Sequence, residues 1–242
     1  MKVLKPFFSF YGGKYRTAVR YGIPRHDTVV EPFAGSAGYS VRFHDRKIVL
    51  VEKDPVIAAL WRYLTRVQPS EIKAIPLVAP EGHVDDLGNV PPEVRSLVGL
   101  WLNRGMTAPC LRPSAWHRAF QATGERPLSR WSEQAKDRIA KQVEAIRHWR
   151  VIEGDYSEAP DVDATWFVDP PYSGVAGRRY RFNKLDFPAL GEWCRARQGD
   201  VAVCEQGGAT WLPFEPFGSV KATEGRLRTK RSAEVVWRSS GV

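Results

Sequence analysis

Two rhythms run along the chain. Short apolar runs that close on an acid recur from Thr28 to Glu31, Ile48 to Glu52, Val151 to Glu153, and Thr165 to Val168 followed by Asp169. Runs of this length with polar flanks predict strands buried on both faces. Val201 to Cys204 and Glu234 to Arg238 predict two more. Between them, spacings near 3.6 predict helices over 39–44, 55–66, 92–104, 132–149 and 187–197. In the fourth of these, Ala135, Ile139, Val143 and Ile146 share one face behind a Ser132 cap. Strands alternating with helices predict an α/β fold, a mainly parallel sheet covered on both sides, with ligand chemistry at the C-terminal strand ends. From Val67 to Arg130 the rhythm breaks. Pro69, Pro76, Pro80, Pro91 and Pro92, then Pro109, Pro113 and Pro127, predict irregular chain around a single helix. Residues 1–66 and 131–242 therefore read as one domain interrupted by an insertion at 67–130.

The acids at the strand ends carry the chemistry. In Asp169-Pro170-Pro171-Tyr172 the prolines fix φ and remove donors, leaving the Asp169 carboxylate and the Pro170 carbonyl as acceptors. An exocyclic base amine fits between two such acceptors. With Tyr172 stacked on the ring, the nitrogen lone pair is aimed at an electrophile and no general base is needed. Glu31-Pro32-Phe33-Ala34-Gly35-Ser36-Ala37-Gly38 is a small-residue turn between strand and helix, where Gly35 and Gly38 can take positive φ and admit a ligand close to the backbone. Glu52, ending the next strand, can hold two ribose hydroxyls. The G-x-G-x-x-G spacing is missing, which disfavours a nicotinamide enzyme.

Composition narrows the classes. The chain has 242 residues, 43% of them hydrophobic with 9 Trp, enough to bury a core without metal or disulfide support. Its 3 cysteines form no C-x-x-C pair and its 5 histidines are scattered, so no metal site is expected. No apolar segment approaches the roughly 18 residues of a membrane span and no signal peptide precedes the first motif, so a cytoplasmic protein is expected. A net charge of +9 and a pI of about 9.6 favour a polyanionic partner. Basic residues gather at Arg104, Arg112 and Arg118, at Arg178, Arg179, Arg181 and Lys184, and at Lys230 and Arg231, with Tyr180 and Phe182 interleaved as possible base-stacking rings.

Phe10-Tyr11-Gly12-Gly13-Lys14, Glu31 to Gly38, Val51-Glu52-Lys53-Asp54-Pro55, Gly154-Asp155-Tyr156 and Asp169 to Tyr172, in that order, resemble the Dam-like DNA adenine-N6 methyltransferases. The resemblance covers most of the chain. It implies a Rossmann-like seven-stranded sheet with an antiparallel strand near the C-terminus, an inserted target-recognition region, and S-adenosylmethionine as methyl donor. Tyr11, Gly12, Gly13 and Lys14 would close over the cofactor. Glu31, Phe33, Ala34 and Gly35 would line it, Glu52 with Lys53 would hold its ribose side, and Asp155 with Tyr156 would contact its adenine. Asp169, Pro170, Pro171 and Tyr172 would receive an adenine flipped out of duplex DNA, and the three basic clusters would bind that DNA; a monomer is expected. Two departures fall on the substrate side: Asn103-Arg104 continues into Gly105-Met106-Thr107 instead of an aromatic and Asn-Gly, and Glu205-Gln206 stands where many relatives have Ser-Asn. An RNA or protein-glutamine methyltransferase with a similar site, and a catalytically silent nucleic-acid-binding protein of the same fold, are the alternative readings.

Overall fold

The structure is a computed structural model that describes residues 3–115, 118, 131–224 and 228–239, with side chains left aside at 220–224 and 228–232. Among them seven strands form one sheet: β1 (Thr28–Glu31), β2 (Lys47–Glu52), β3 (Arg150–Glu153), β4 (Ala164–Val168), β5 (Gly199–Gln206), β6 (Glu215–Glu224) and β7 (Arg228–Arg238), in the order β3-β2-β1-β4-β5-β7-β6. The first five run parallel, and β7 is antiparallel to both its neighbours. The order builds outward from β1 to β3 and then returns to β4 on the other side of β1. That leaves a crevice between the C-terminal ends of β1 and β4, where open parallel sheets take up ligands.

Alternation along the strands splits the core between the two faces. Val29, Ile48, Leu50 and Phe167 face a large cluster with Phe7, Phe8, Trp61 and Trp131. Val30, Val49, Val51, Trp166 and Val168 face a smaller one with Leu190, Cys194 and Leu212. The helices that cover these faces are α1 (Gly38–Arg42), α2 (Pro55–Leu64), α3 (Pro69–Ala74), α4 (Pro92–Leu102), α5 (Glu133–Ala140) and α6 (Phe187–Arg195). Asp54 caps α2 by accepting from Val56 N at 3.0 Å, just ahead of Pro55. Val94, Leu97, Val98, Leu100 and Trp101 of the insertion belong to the large cluster, so helix α4 of the insertion shares the core of the main domain. No helix among the described residues is long and apolar enough to cross a membrane, and no group of side chains among them is arranged to hold a metal.

Three expectations need correction. The helix over 132–149 is broken. Ser132 caps α5 as foreseen, accepting from Ala135 N at 3.3 Å, but α5 stops at Ala140 and a 3-10 turn follows at Val143–Ile146. At the break the buried Gln142 side chain receives Lys5 N at 2.7 Å and donates to Lys5 O at 3.1 Å, clamping the N-terminal segment at the expense of helical continuity. The proline-rich stretch contains the short helix α3, because Pro69 occupies its first turn and Gln68 with Glu71 forms a capping box. Strand β6 was hidden by Pro216 and Gly218, which an edge strand tolerates at a bulge.

Candidate functional site

Three acidic strand ends meet at the crevice: Glu31 from β1, Glu52 from β2 and Asp169 just past β4, all lining one cavity with Tyr11, Gly12, Gly13 and Lys14. The turn after β1 shapes its floor. Gly35 and Ala37 both take left-handed backbone at φ 46°, whereas Gly38 begins α1 with ordinary φ. Gly38 is required for another reason: a Cβ there would lie 2.6 Å from Tyr15 N and 2.9 Å from Lys14 N, so its absence lets the N-terminal segment cross the turn. The Trp61 indole donates to Gly35 O at 2.8 Å, and Ala34 N donates to Val51 O at 3.1 Å, tying the turn to α2 and β2.

The carboxylates differ in how they are held. Glu52 accepts Gly35 N and Asp54 N, each at 2.8 Å, and burial pushes its pKa up to about 7. Each oxygen keeps a second lone pair for a ligand hydroxyl. Glu31 is buried, accepts Ser40 N at 2.5 Å, and is pushed by burial up to about 8. Asp169 has its oxygens 2.8 and 2.9 Å from the Lys14 ammonium, and its side chain is 19% exposed. Burial works against the Lys14 charge, but Asp169 next to it raises the pKa well above the ordinary lysine value. Burial raises Asp169, and Lys14 opposes that shift.

The turn following Asp169 is anchored from beneath. Fully buried Glu205 accepts Ser173 N at 2.8 Å, Gln206 N at 2.8 Å and the Trp211 indole at 3.1 Å. Because Pro170 and Pro171 have no N–H, Ser173 N is one of the first donors by which the turn can be fixed. Tyr172 is half-buried. Its hydroxyl donates to Glu234 at 3.3 Å, and the Lys14 ammonium lies 5.0 Å from its ring centroid. Neither it nor Pro170 lines the cavity; Pro171 does. Asp155 and Tyr156 also stand one layer back. Asp155 holds the cavity-lining Lys53 at 2.7 Å, and Tyr156 stacks on the cavity-lining Phe33 at 5.5 Å between centroids.

Three segments meet at the rim. Tyr180 donates to Tyr11 O at 3.0 Å, Thr107 Oγ1 donates to Arg179 O at 3.0 Å, and Tyr11 N donates to Met106 O at 3.0 Å. The departing segment Gly105-Met106-Thr107 thus joins the N-terminal motif to the loop after β4. Phe10, Thr107, Tyr180, Phe182 and Leu185 add to the lining. Phe10 stood within its motif, Tyr180 and Phe182 beside a basic cluster, Thr107 within a departure from the family pattern and Glu234 at the start of a strand candidate, while Leu185 gave no sequence signal. Glu205 did give one, as a departure from the family pattern.

The basic residues divide. Arg178, Arg179 and Lys184 are exposed, and Arg181 is 65% exposed with Asp54 4.0 Å away. Arg104 is exposed at the start of the rim segment. Arg112 donates to Glu81 O at 3.4 Å, and Arg118 pairs with the Glu81 carboxylate at 3.2 Å. Lys230 and Arg231 lie on β7 with side chains outside the described residues. The chain matches no model of a known protein family and no curated protein sequence.

Proposed function

We propose that this chain is a DNA adenine-N6 methyltransferase that uses S-adenosylmethionine. The observation that carries the reading is the convergence, at one crevice between β1 and β4, of Lys14, the Gly35 turn, Glu52 and Asp169, which lie far apart in sequence. The donor set fits an adenosine. Glu52 presents free lone pairs beside a glycine backbone, Phe33 offers an apolar ring backed by Tyr156, and Lys53 is steadied by Asp155. S-adenosylmethionine held there supplies an electrophilic methyl group.

The protein's own part is to present a nucleophile. Asp169, paired with the Lys14 ammonium that opposes the effect of burial on its carboxyl, accepts the amine N–H of an extruded adenine on its unused lone pairs and stabilises positive charge as it grows on that nitrogen. Glu205 and Glu234 hold the turn in place, so the acceptor does not have to reorganise during transfer. Tyr172, tied to Glu234 and covered by Lys14, serves as a wall of this turn; Tyr180 and Phe182, from the loop after β4, are among the rings that line the cavity and can pack against a base. Exposed Arg178, Arg179, Arg181 and Lys184 at the rim fit phosphate contacts.

The test is labelled methyl transfer from S-adenosylmethionine to unmethylated duplex DNA, with duplex RNA as control and mapping of the modified base. Label on adenine N6 of DNA is the expected result. Label on RNA alone, or no transfer under conditions where cofactor binds, would remove the assignment.

A further inference from the structure

A second recess, of about 310 Å³, lies between the end of α2, the turn before β3 and β3 itself, and shares no residue with the cleft. Arg62, Arg66, Arg147 and Arg150 surround it, with the buried Trp149 indole as floor. Trp149 is fixed by donating to His44 O at 3.3 Å and by packing on Trp61 at 5.6 Å. Arg147 donates to Arg66 O at 3.0 Å, Val67 O at 3.2 Å and Gln68 Oε1 at 3.2 Å, which orients its plane and leaves two of its five N–H donors. Arg62 pairs with Glu153 at 2.8 Å. The Arg66 and Arg150 side chains have no ion-pair or hydrogen-bond partner among the described residues and are exposed.

Charge on an edge strand can simply discourage pairing with another sheet, and that accounts for Arg150. It does not account for Arg62 and Arg66, which come from the end of α2, or for Arg147, which precedes β3. Four guanidiniums repel one another, and Glu153 offsets one of them. An anion shared between them offsets the rest. Guanidinium forks match phosphate oxygens, and two unpaired forks beside an already oriented third offer more donors than one phosphate needs.

We propose that this recess binds two adjacent phosphate groups, either in a free diphosphate or along a nucleic-acid backbone. The proposal is independent of the reading of the cleft. Calorimetric titration with pyrophosphate at low salt tests it on the full chain. Wild-type protein should show saturable binding, and the double variant Arg66→Ala/Arg150→Ala should weaken it at least about tenfold. The control Arg20→Ala/Arg195→Ala removes the same charge from exposed positions elsewhere and should change affinity by less than about twofold. Arg147 is left in place because it holds the end of α2. Displacement of pyrophosphate by a short duplex would identify the backbone as the source, and failure of the duplex to compete would identify a free diphosphate; either result supports the recess as the site. Absence of saturable binding by wild-type protein, or equal losses in the two double variants, would overturn the proposal.

Discussion

Glu52 and Asp169 face the same cavity from neighbouring parts of one sheet, yet they are held in opposite ways. Main-chain N–H groups hold Glu52, in a turn fixed by Trp61 and by left-handed backbone at Gly35. A single side chain, Lys14, faces Asp169 and brings the only full positive charge within 4 Å of it among the described residues. Backbone donors survive most substitutions but carry only partial charge, so burial prevails over them and pushes the Glu52 pKa up to about 7. An ammonium contributes a full charge that one mutation removes. The difference fits the proposed tasks: a ribose clamp needs position, while an amine acceptor that meets growing positive charge needs ionisation.

Removing Asp169 should have the largest effect. Asp169→Ala is expected to lower methyl transfer by about 10³-fold or more with cofactor binding largely kept, since electrostatic acceptors of this kind contribute on that order. Single-turnover kinetics together with cofactor titration check it, and near-normal turnover would refute the role. Lys14→Met should come next, because breaking a buried pair by one partner costs on the order of 3–5 kcal/mol. The Asp169 pKa then climbs, so residual activity should rise with pH more steeply than in wild type. Lys14→Met/Asp169→Asn should recover much of the stability without recovering activity, and a double variant as unstable as Lys14→Met would mean that the unpaired Asp169 carboxylate is not the source of the loss.

Glu31 carries the contrast to its limit, being buried with Ser40 N as its donor and no cation in salt-bridge range among the described residues. Its folded pKa of about 8 lies above the ordinary carboxylate value, so the folded state holds a proton that the unfolded state releases. The stability this contributes is fully present below about pH 4.5 and is lost as pH rises through about 8. Denaturant titration should therefore show Glu31→Gln losing less stability than wild type between pH 5 and 8, by on the order of a few kcal/mol. Equal pH slopes would place the protonation elsewhere. Glu52→Ala should weaken S-adenosylmethionine binding by about 1.5–3 kcal/mol, the scale of hydrogen bonds to a charged group. Calorimetry on the folded variant measures it, and an unchanged dissociation constant would leave Glu52 as a support for the Gly35 turn alone.

Apolar runs made β1 to β5 legible because strands buried on both faces write a continuous hydrophobic signal. The same runs ended on Glu31, Glu52 and Asp169, so the principal acids of the cavity were readable as strand ends. Strand β6 was not, since Pro216 and Gly218 suit an edge that has little need for pattern. The α5 break was invisible because its cause, Gln142 bonding to Lys5, spans 137 residues. Tertiary partners also explain the roles assigned to Tyr172 and Asp155: spacing placed them beside the site, but Glu234 and Lys53 decide what each side chain touches. The pairing of Lys14 with Asp169 across 155 residues lay equally outside local pattern, although both residues stood in recognised motifs.

The smallest expected effect carries the contrast between fixed and free charge out to the rim. Arg118 is paired with Glu81 at 3.2 Å, whereas Arg179 lies 5.0 Å over the Tyr11 ring and Arg181, 65% exposed, meets Asp54 only at 4.0 Å, so most of the donors of both forks remain open to a phosphate. If these two each neutralise one phosphate, releasing its counterion, log affinity against log salt should flatten by roughly 0.9 for each when they are replaced by Ala. The loss should be alike on target and scrambled duplexes, because phosphate contacts carry no sequence. Arg118→Ala should leave the salt slope nearly unchanged, its charge being already committed to Glu81. At Arg104, exposed beside the rim segment, replacement by Ala should alter preference between duplexes by about 1–3 kcal/mol if it makes a bidentate base contact. A salt titration of the three variants on matched and scrambled duplexes separates these outcomes. Should Arg118→Ala flatten the slope while Arg179→Ala/Arg181→Ala does not, the pairing seen in the free protein would not be the arrangement that meets DNA, and the insertion rather than the loop after β4 would position the duplex.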